Sequence, residues 1–212
     1  MRKFPLVLAV LLIGALAAHA DSSVTTRPAG TDSVDWSQLG SSFTAINNPF
    51  DFTTANSVAG TGSYASGVGQ VRAEDNGWGG NFTPGDYVNW NGGSGTLTLN
   101  FADGFTQIGA QIQSDSYGAF TAQICDVNGC FTEDGTSNAN DDGSAIYLGI
   151  SSSSPINWVT FDLTSGTNDF GINEVTLDGD SGATPEPSSL LLLGTGLVGL
   201  AGALRRKLAR KG

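Results

Sequence analysis

In several short segments between residues 96 and 177 apolar and polar side chains alternate one for one, a period that suits strands half-buried against a core and no helix. From Thr96 to Phe101, Leu97, Leu99 and Phe101 share one face while Thr96, Thr98 and Asn100 share the other. Ala102-Asp103-Gly104 reads as a turn, after which Ile108, Ala110 and Ile112 face inward against Gln111 and Gln113. A polar turn at 114–117 precedes Phe120, Ala122 and Ile124, and further strands are expected at 145–150, 156–163 and 170–177. Phe170 and Ile172 have a parity that Val175 and Leu177 lack, and a bulge at Asn173-Glu174 would return both pairs to the core. The expected fold is all-β, an antiparallel β-sandwich of jelly-roll type. Residues 21–95 are too dense in turn formers for a strand order, and Arg27-Pro28 reads as part of a short disordered leader.

Both ends of the chain carry export features. Arg2 and Lys3 precede an apolar stretch from Phe4 to Ala17, and Ala18-His19-Ala20 places small residues at Ala18 and Ala20 for signal peptidase, so cleavage after Ala20 is expected. At the other end Pro185-Glu186-Pro187 leads into an apolar run from Leu190 to Leu204, followed by Arg205, Arg206 and Lys207. As a helix, residues 188–204 would rise about 25 Å, enough to cross a bilayer core, with the basic cluster held in the cytoplasm.

This order of motif, span and basic tail resembles the PEP-CTERM sorting domain, the signal recognised by exosortases in many Gram-negative bacteria that make extracellular polysaccharide. The resemblance covers residues 184–212. It implies that Pro185, Glu186 and Pro187 are the recognition motif, that the Leu-rich span is a transient anchor cut off near the motif, and that Arg205, Arg206 and Lys207 stop transfer. A permanent single-span anchor is the alternative. A sortase signal would need Leu-Pro-x-Thr-Gly, which is absent, and a glycolipid-anchor signal would end in its apolar tail. The layout is thus a signal peptide over 1–20, an acidic body over 21–183 and a sorting signal over 184–212, with its transmembrane span at about 188–204. The partners implied are the Sec export machinery, signal peptidase and exosortase. The precursor would span the inner membrane, and the mature form would lie at the cell surface or outside the cell. Phe105 to Leu177, ending in Asp-Phe-Gly-Ile-Asn-Glu-Val-Thr-Leu-Asp, also resembles the jelly-roll bodies often found ahead of this signal.

All 20 acidic residues fall between Asp21 and Glu186, against only Arg27 and Arg72, a net charge of −18. That excludes nucleic acid as a partner, because duplex binding depends on Lys and Arg at the phosphates. The only histidine, His19, lies in the signal peptide, and the body has no lysine. Ser-His-Asp, Cys-His, Ser-Lys and Schiff-base chemistry and His-ligated metal centres are therefore closed to it. A glycoside hydrolase using two carboxylates is the enzyme class left open; no spacing singles out a pair, and no catalytic residue is assigned.

Cys125 and Cys130 flank Asp126-Val127-Asn128-Gly129, and two close cysteines in an exported protein are expected to form a disulfide. A two-residue turn would leave Cys125 diagonal to Cys130. A four-residue loop sets them opposite each other, with Phe131 across from Ile124 on the core face. Residues 133–143 gather oxygen ligands in what reads as a loop, and Asp134, Asn138, Asn140 and Asp142 are the candidate ligands for calcium, the one cofactor considered. Gly149 stands where an EF-hand loop would need its bidentate Glu, so only a looser site fits; a solvated acidic turn is the competing reading. Trp78, Tyr87 and Trp90 are the candidate glycan contacts, with Asp75, Asn76, Asp86 and Asn89 as hydrogen-bonding neighbours. The competing reading caps the core with Trp78 and Trp90, and Trp36 and Trp158 are expected in the core as well.

The sequence is therefore read as an exported, non-catalytic surface or matrix protein, with extracellular polysaccharide as the expected partner. A passive, calcium-stabilised surface protein and a carboxylate glycosidase are the alternatives.

Overall fold

The computed structural model describes residues 21–73, 78, 81–138 and 143–179. Among them thirteen strands form antiparallel pairs: β1 (Ser22–Val24), β2 (Asp32–Val34), β3 (Ala45–Ile46), β4 (Phe50–Thr53), β5 (Ala59–Tyr64), β6 (Gly69–Ala73), β7 (Tyr87–Trp90), β8 (Leu97–Ser114), β9 (Gly118–Cys125), β10 (Cys130–Ser137), β11 (Ile146–Ser165), β12 (Phe170–Ile172) and β13 (Val175–Asp178). A 3-10 turn at Trp36–Leu39 is capped by the Asp35 carboxylate, which accepts from the Ser37 amide. The signal peptide and the span at 188–204 lie outside the described residues; among those described, no helix is long and apolar enough to cross a membrane.

Two long strands organise the sandwich. β8 and β11 pair with each other along their lengths, and their two halves have different outer neighbours. The first half of β8 pairs with β5 and the second half of β11 with β9, giving the series β4-β5-β8-β11-β9-β10. The second half of β8 pairs with β12 and β13, which lead to β7, β6 and β3 and to β2, while β1 borders the first half of β11. The expected turn at 102–104 is absent, because β8 runs through it. The strands expected at 145–150 and 156–163 are likewise one strand. Register shifts between Ser151 and Trp158 absorb the bend, and at Gly104 a Cβ would lie 2.3 Å from Pro155 Cβ, so only glycine lets the two chains approach there.

The core lies between the two series. Trp36, which follows β2, meets Phe50 and Phe52 of β4 edge to ring at 6.3 and 6.1 Å, and donates its indole N–H to the Asn173 carbonyl at 2.7 Å. Phe50 and Phe52 lie across from Gly62 and Gly60, where a Cβ would come within 2.4 Å of the rings. The missing side chains make room for the phenyl groups. The bulge at Asn173-Glu174 is present. Ile172 pairs with Ile112 and Thr176 with Gly109, so one extra residue stands on this side, and the Asn173 carboxamide takes the Gln111 amide at 2.8 Å.

Two further expectations change. Trp158 is half-buried on the outer face, because Val159, Phe161 and Leu163 have the inward parity of β11. Arg27-Pro28 is not a loose leader: β1 pairs with Ser151, Ile150 and Gly149, and Arg27 is tied into the body.

Candidate functional site

The first sixteen paired residues after the long β8 strand include the disulfide hairpin, where expectation and geometry agree. Cys125 pairs with Cys130 and Ile124 with Phe131, and the cysteines are bonded with their Cα atoms 4.0 Å apart. Asp126 fixes the four-residue loop by accepting the amides of Asn128 and Gly129 at 2.9 and 3.1 Å. Residues 133–137, expected in a loop, belong to strand β10, with Asp134 opposite Thr121 and accepting its hydroxyl at 2.7 Å. The pairing wins over the turn propensity because Gly135 lies under the Phe120 ring. Asn138 is exposed beyond the end of β10, whereas Asn140 and Asp142 lie outside the described residues. Among the described residues no group of three or more acidic, Cys or His side chains could hold a metal.

The three aromatic candidates do not form one platform. Tyr87 and Trp90 are three residues apart on one strand and so point to opposite sides of the sheet, Tyr87 packing on the main core. Trp78 is 4% exposed and forms a second apolar cluster with Phe82, Val88 and Ala145 on the outer face of β7 and β12. Its ring is covered, which removes it from reach of a sugar. Asn89 is buried and accepts the Tyr64 hydroxyl at 2.6 Å, which leaves Asp86 as the only described hydrogen-bonding candidate near solvent.

Asp86 is itself engaged. Arg27 donates to Thr83 and Asp86 at 2.9 Å each and to Glu174 at 2.7 Å, while Asn173 Nδ2 donates to Asp86 and to Gln111 at 2.7 Å. Burial pushes the Glu174 carboxyl up; Arg27 offsets part of that and Asp86 adds to it. This network anchors the N-terminal segment and the 81–86 loop to the bulge.

Trp90 is half-buried; it packs against the Trp78 cluster and also takes part in a second constellation. Gln70 lies opposite it, which sets Arg72 of β6 diagonal to it on the same face. The Arg72 guanidinium carbon is 4.6 Å from the centroids of both Trp90 and Phe43. The Trp90 indole N–H donates to Asp169 Oδ1 at 2.6 Å, and the Asp169 carbonyl accepts the Asp115 amide at 2.9 Å. Burial and the Asp169 charge push the exposed Asp115 carboxyl up, with Arg72 partly opposing them. Phe43 is 55% exposed, belongs to neither apolar cluster and has φ of 72°. Its amide donates to the Val71 carbonyl at 2.7 Å, and Val71 N–H returns to Thr44 at 2.8 Å, which holds the backbone in this left-handed conformation. The result is a ring, a guanidinium, a second ring and two carboxylates in sequence along one surface. Arg72, one of two cations in a body of 19 acids, is the sequence signal for it; Phe43, Asp115 and Asp169 have none.

No curated protein matches the chain. Among solved structures, a carbohydrate-binding module from Clostridium stercorarium, CsCBM6-3 in complex with cellobiose, is 10% identical over 75% of this chain and 94% of that one. The TM-score between the two is 0.23. The sorting residues Pro185, Glu186, Pro187, Arg205, Arg206 and Lys207 and the cleavage residues Ala18 and Ala20 lie outside the described residues. Residues 183–207 match the family model of the PEP-CTERM protein-sorting motif, so this is a protein carrying the PEP-CTERM domain.

Proposed function

We propose that this chain is an exported cell-surface or extracellular-matrix protein, sorted and cut by an exosortase, whose β-sandwich associates with glycan and performs no catalysis. The match at residues 183–207 carries the sorting part, since a motif read by an exosortase presupposes a body delivered across the inner membrane. The glycan part is supported by the surface around Phe43, Arg72 and Trp90, where ring faces stand beside hydrogen-bond donors and acceptors. The body's acidity keeps it soluble outside the cell and turns away anionic lipid.

The test is the intact mass of the protein from its host, compared between membrane and extracellular fractions. The proposed processing gives a chain that starts near Asp21 and ends close to Thr184–Pro187. A membrane-bound chain retaining Gly212 would overturn it. A glycoside hydrolase is the second reading, on the observation that Asp115, with its carboxyl pushed up, neighbours Asp169. That reading requires release of reducing ends from glycan and its loss in Asp115→Asn.

A further inference from the structure

Phe43 is placed against its own stability. A bulky side chain at positive φ is disfavoured relative to glycine, and a ring left 55% in water recovers little of that by burial. Strain of this kind persists where the surroundings impose it, and here the backbone bonds to Val71 impose it. What the conformation accomplishes is to set the ring beside Arg72. That guanidinium is packed against two rings and is thereby held in place, its N–H edges being the only cationic donors on this surface among the described residues. On the far side of Trp90, Asp169 keeps Oδ2 beyond its bond to the indole, and Asp115 is exposed. Gly92 and Gly93, both at positive φ, form the turn next to Trp90 and add no side chain over it.

We propose that Phe43, Arg72, Asp115 and Asp169 form the binding site for a short stretch of neutral, hydroxyl-rich glycan; the inference rests on the glycan-associated reading above and gives it residues and a ligand class. Phe43 presents a flat apolar face to the C–H side of a sugar ring. Arg72 donates to hydroxyl oxygens, and the two carboxylates accept hydroxyl protons. A hydroxyl both donates and accepts, so it can satisfy both kinds of partner at once. A uronate would meet two carboxylates on a body of charge −17, and an ammonium-bearing sugar would meet Arg72.

The experiment applies the full chain, held in a zwitterionic detergent, to an array of neutral, uronate-bearing and free-amine oligosaccharides, followed by titration of the best hit. The expected result is binding to neutral members, with affinity falling at least tenfold in Phe43→Gly and in Arg72→Gln. Phe43→Gly should melt no lower than the parent, because glycine relieves the positive φ. Trp158→Ala, which removes the half-buried indole of the other sheet face, should bind as the parent does. Neutral binding that survives both Phe43→Gly and Arg72→Gln would overturn the site and leave the glycan reading standing. Binding confined to uronates or amines would overturn the ligand class. A chain that holds no member of the array would remove the glycan reading itself, and a lower melting point in Phe43→Gly would overturn the claim that Phe43 is strained for binding.

Discussion

The two apolar clusters of this molecule are built by different means. The main core is enclosed by both strand series, and its members arrive from alternating positions on long strands, as with Leu97, Leu99, Ile108, Ile112, Val159 and Phe161. The smaller cluster of Trp78, Phe82, Val88 and Ala145 lies outside the sheet, where Trp78 covers Gly171 beside Val88 and Phe82 of the 81–86 loop packs edge to ring on Trp78. At Gly171 a Cβ would stand 2.6 Å from Val88, so that the outer cluster depends on one missing side chain. Pairing dictates the first cluster, whereas a loop held by polar contacts dictates the second. One is expected to fail globally and the other locally.

The largest expected effect is in the main core. Trp36→Ala removes a fully buried ring, its two edge contacts and the bond to Asn173, and should cost about 4 kcal/mol in urea unfolding, with protection lost from both sheet series. Trp78→Ala should cost about 3 kcal/mol or less, and in hydrogen exchange it should expose the 81–86 loop while β9 and β10 keep their protection. Equal loss across the molecule would dissolve the distinction between the two clusters. Replacing both Cys125 and Cys130 by Ser should cost roughly 2 kcal/mol, because the closed loop is short, and it should leave the Trp78 cluster intact by near-ultraviolet dichroism.

Arg27→Ala sharpens the comparison, since Arg27 ties the outer loop to the bulge. Its ion pairs are partly exposed, so a loss of about 1 kcal/mol is expected, larger at neutral pH than in acid because Asp86 and Glu174 then face each other without it. The smallest effect has the opposite sign. Asp115 and Glu174 both hold protons more tightly folded than unfolded, so their contribution to stability is greatest below the ordinary carboxylate range and declines as pH rises through their folded values. Asp115→Asn should accordingly raise the melting temperature slightly at pH 7 and have no such effect in acid. A fall at pH 7 would show that Asp115 contributes more through contacts than it loses to burial and the Asp169 charge.

The parts that were legible in the sequence share a short range. The register of the disulfide hairpin followed from a four-residue loop, and the Asn173-Glu174 bulge from a change of parity within eight residues. Glycine misled where it stood in for space. Gly60 and Gly62 belong to a strand because Phe52 and Phe50 lie over them, and Gly104 belongs to a bent strand because Pro155 crosses it, yet in the sequence each resembles a turn. The size of Trp158 suggests the core, whereas its parity within β11 sends it outward. Tyr87 and Trp90 are neighbours in the sequence, and the pleat separates them.

By itself the sequence determined that the body is all-β, acidic, without histidine or lysine chemistry, cross-linked at one hairpin and followed by a sorting motif. These properties depend on composition, period and contiguous motif, which need no knowledge of the packed chain. Only the tertiary structure decided which aromatic residues reach solvent and which groups stand beside them. Phe43, Arg72, Trp90, Asp115 and Asp169 span more than half of the body, and they meet because strand pairing orders β6, β7 and β12 side by side. A pairing order of that kind is set by the burial of the whole core, a sum over distant contacts that no local pattern records.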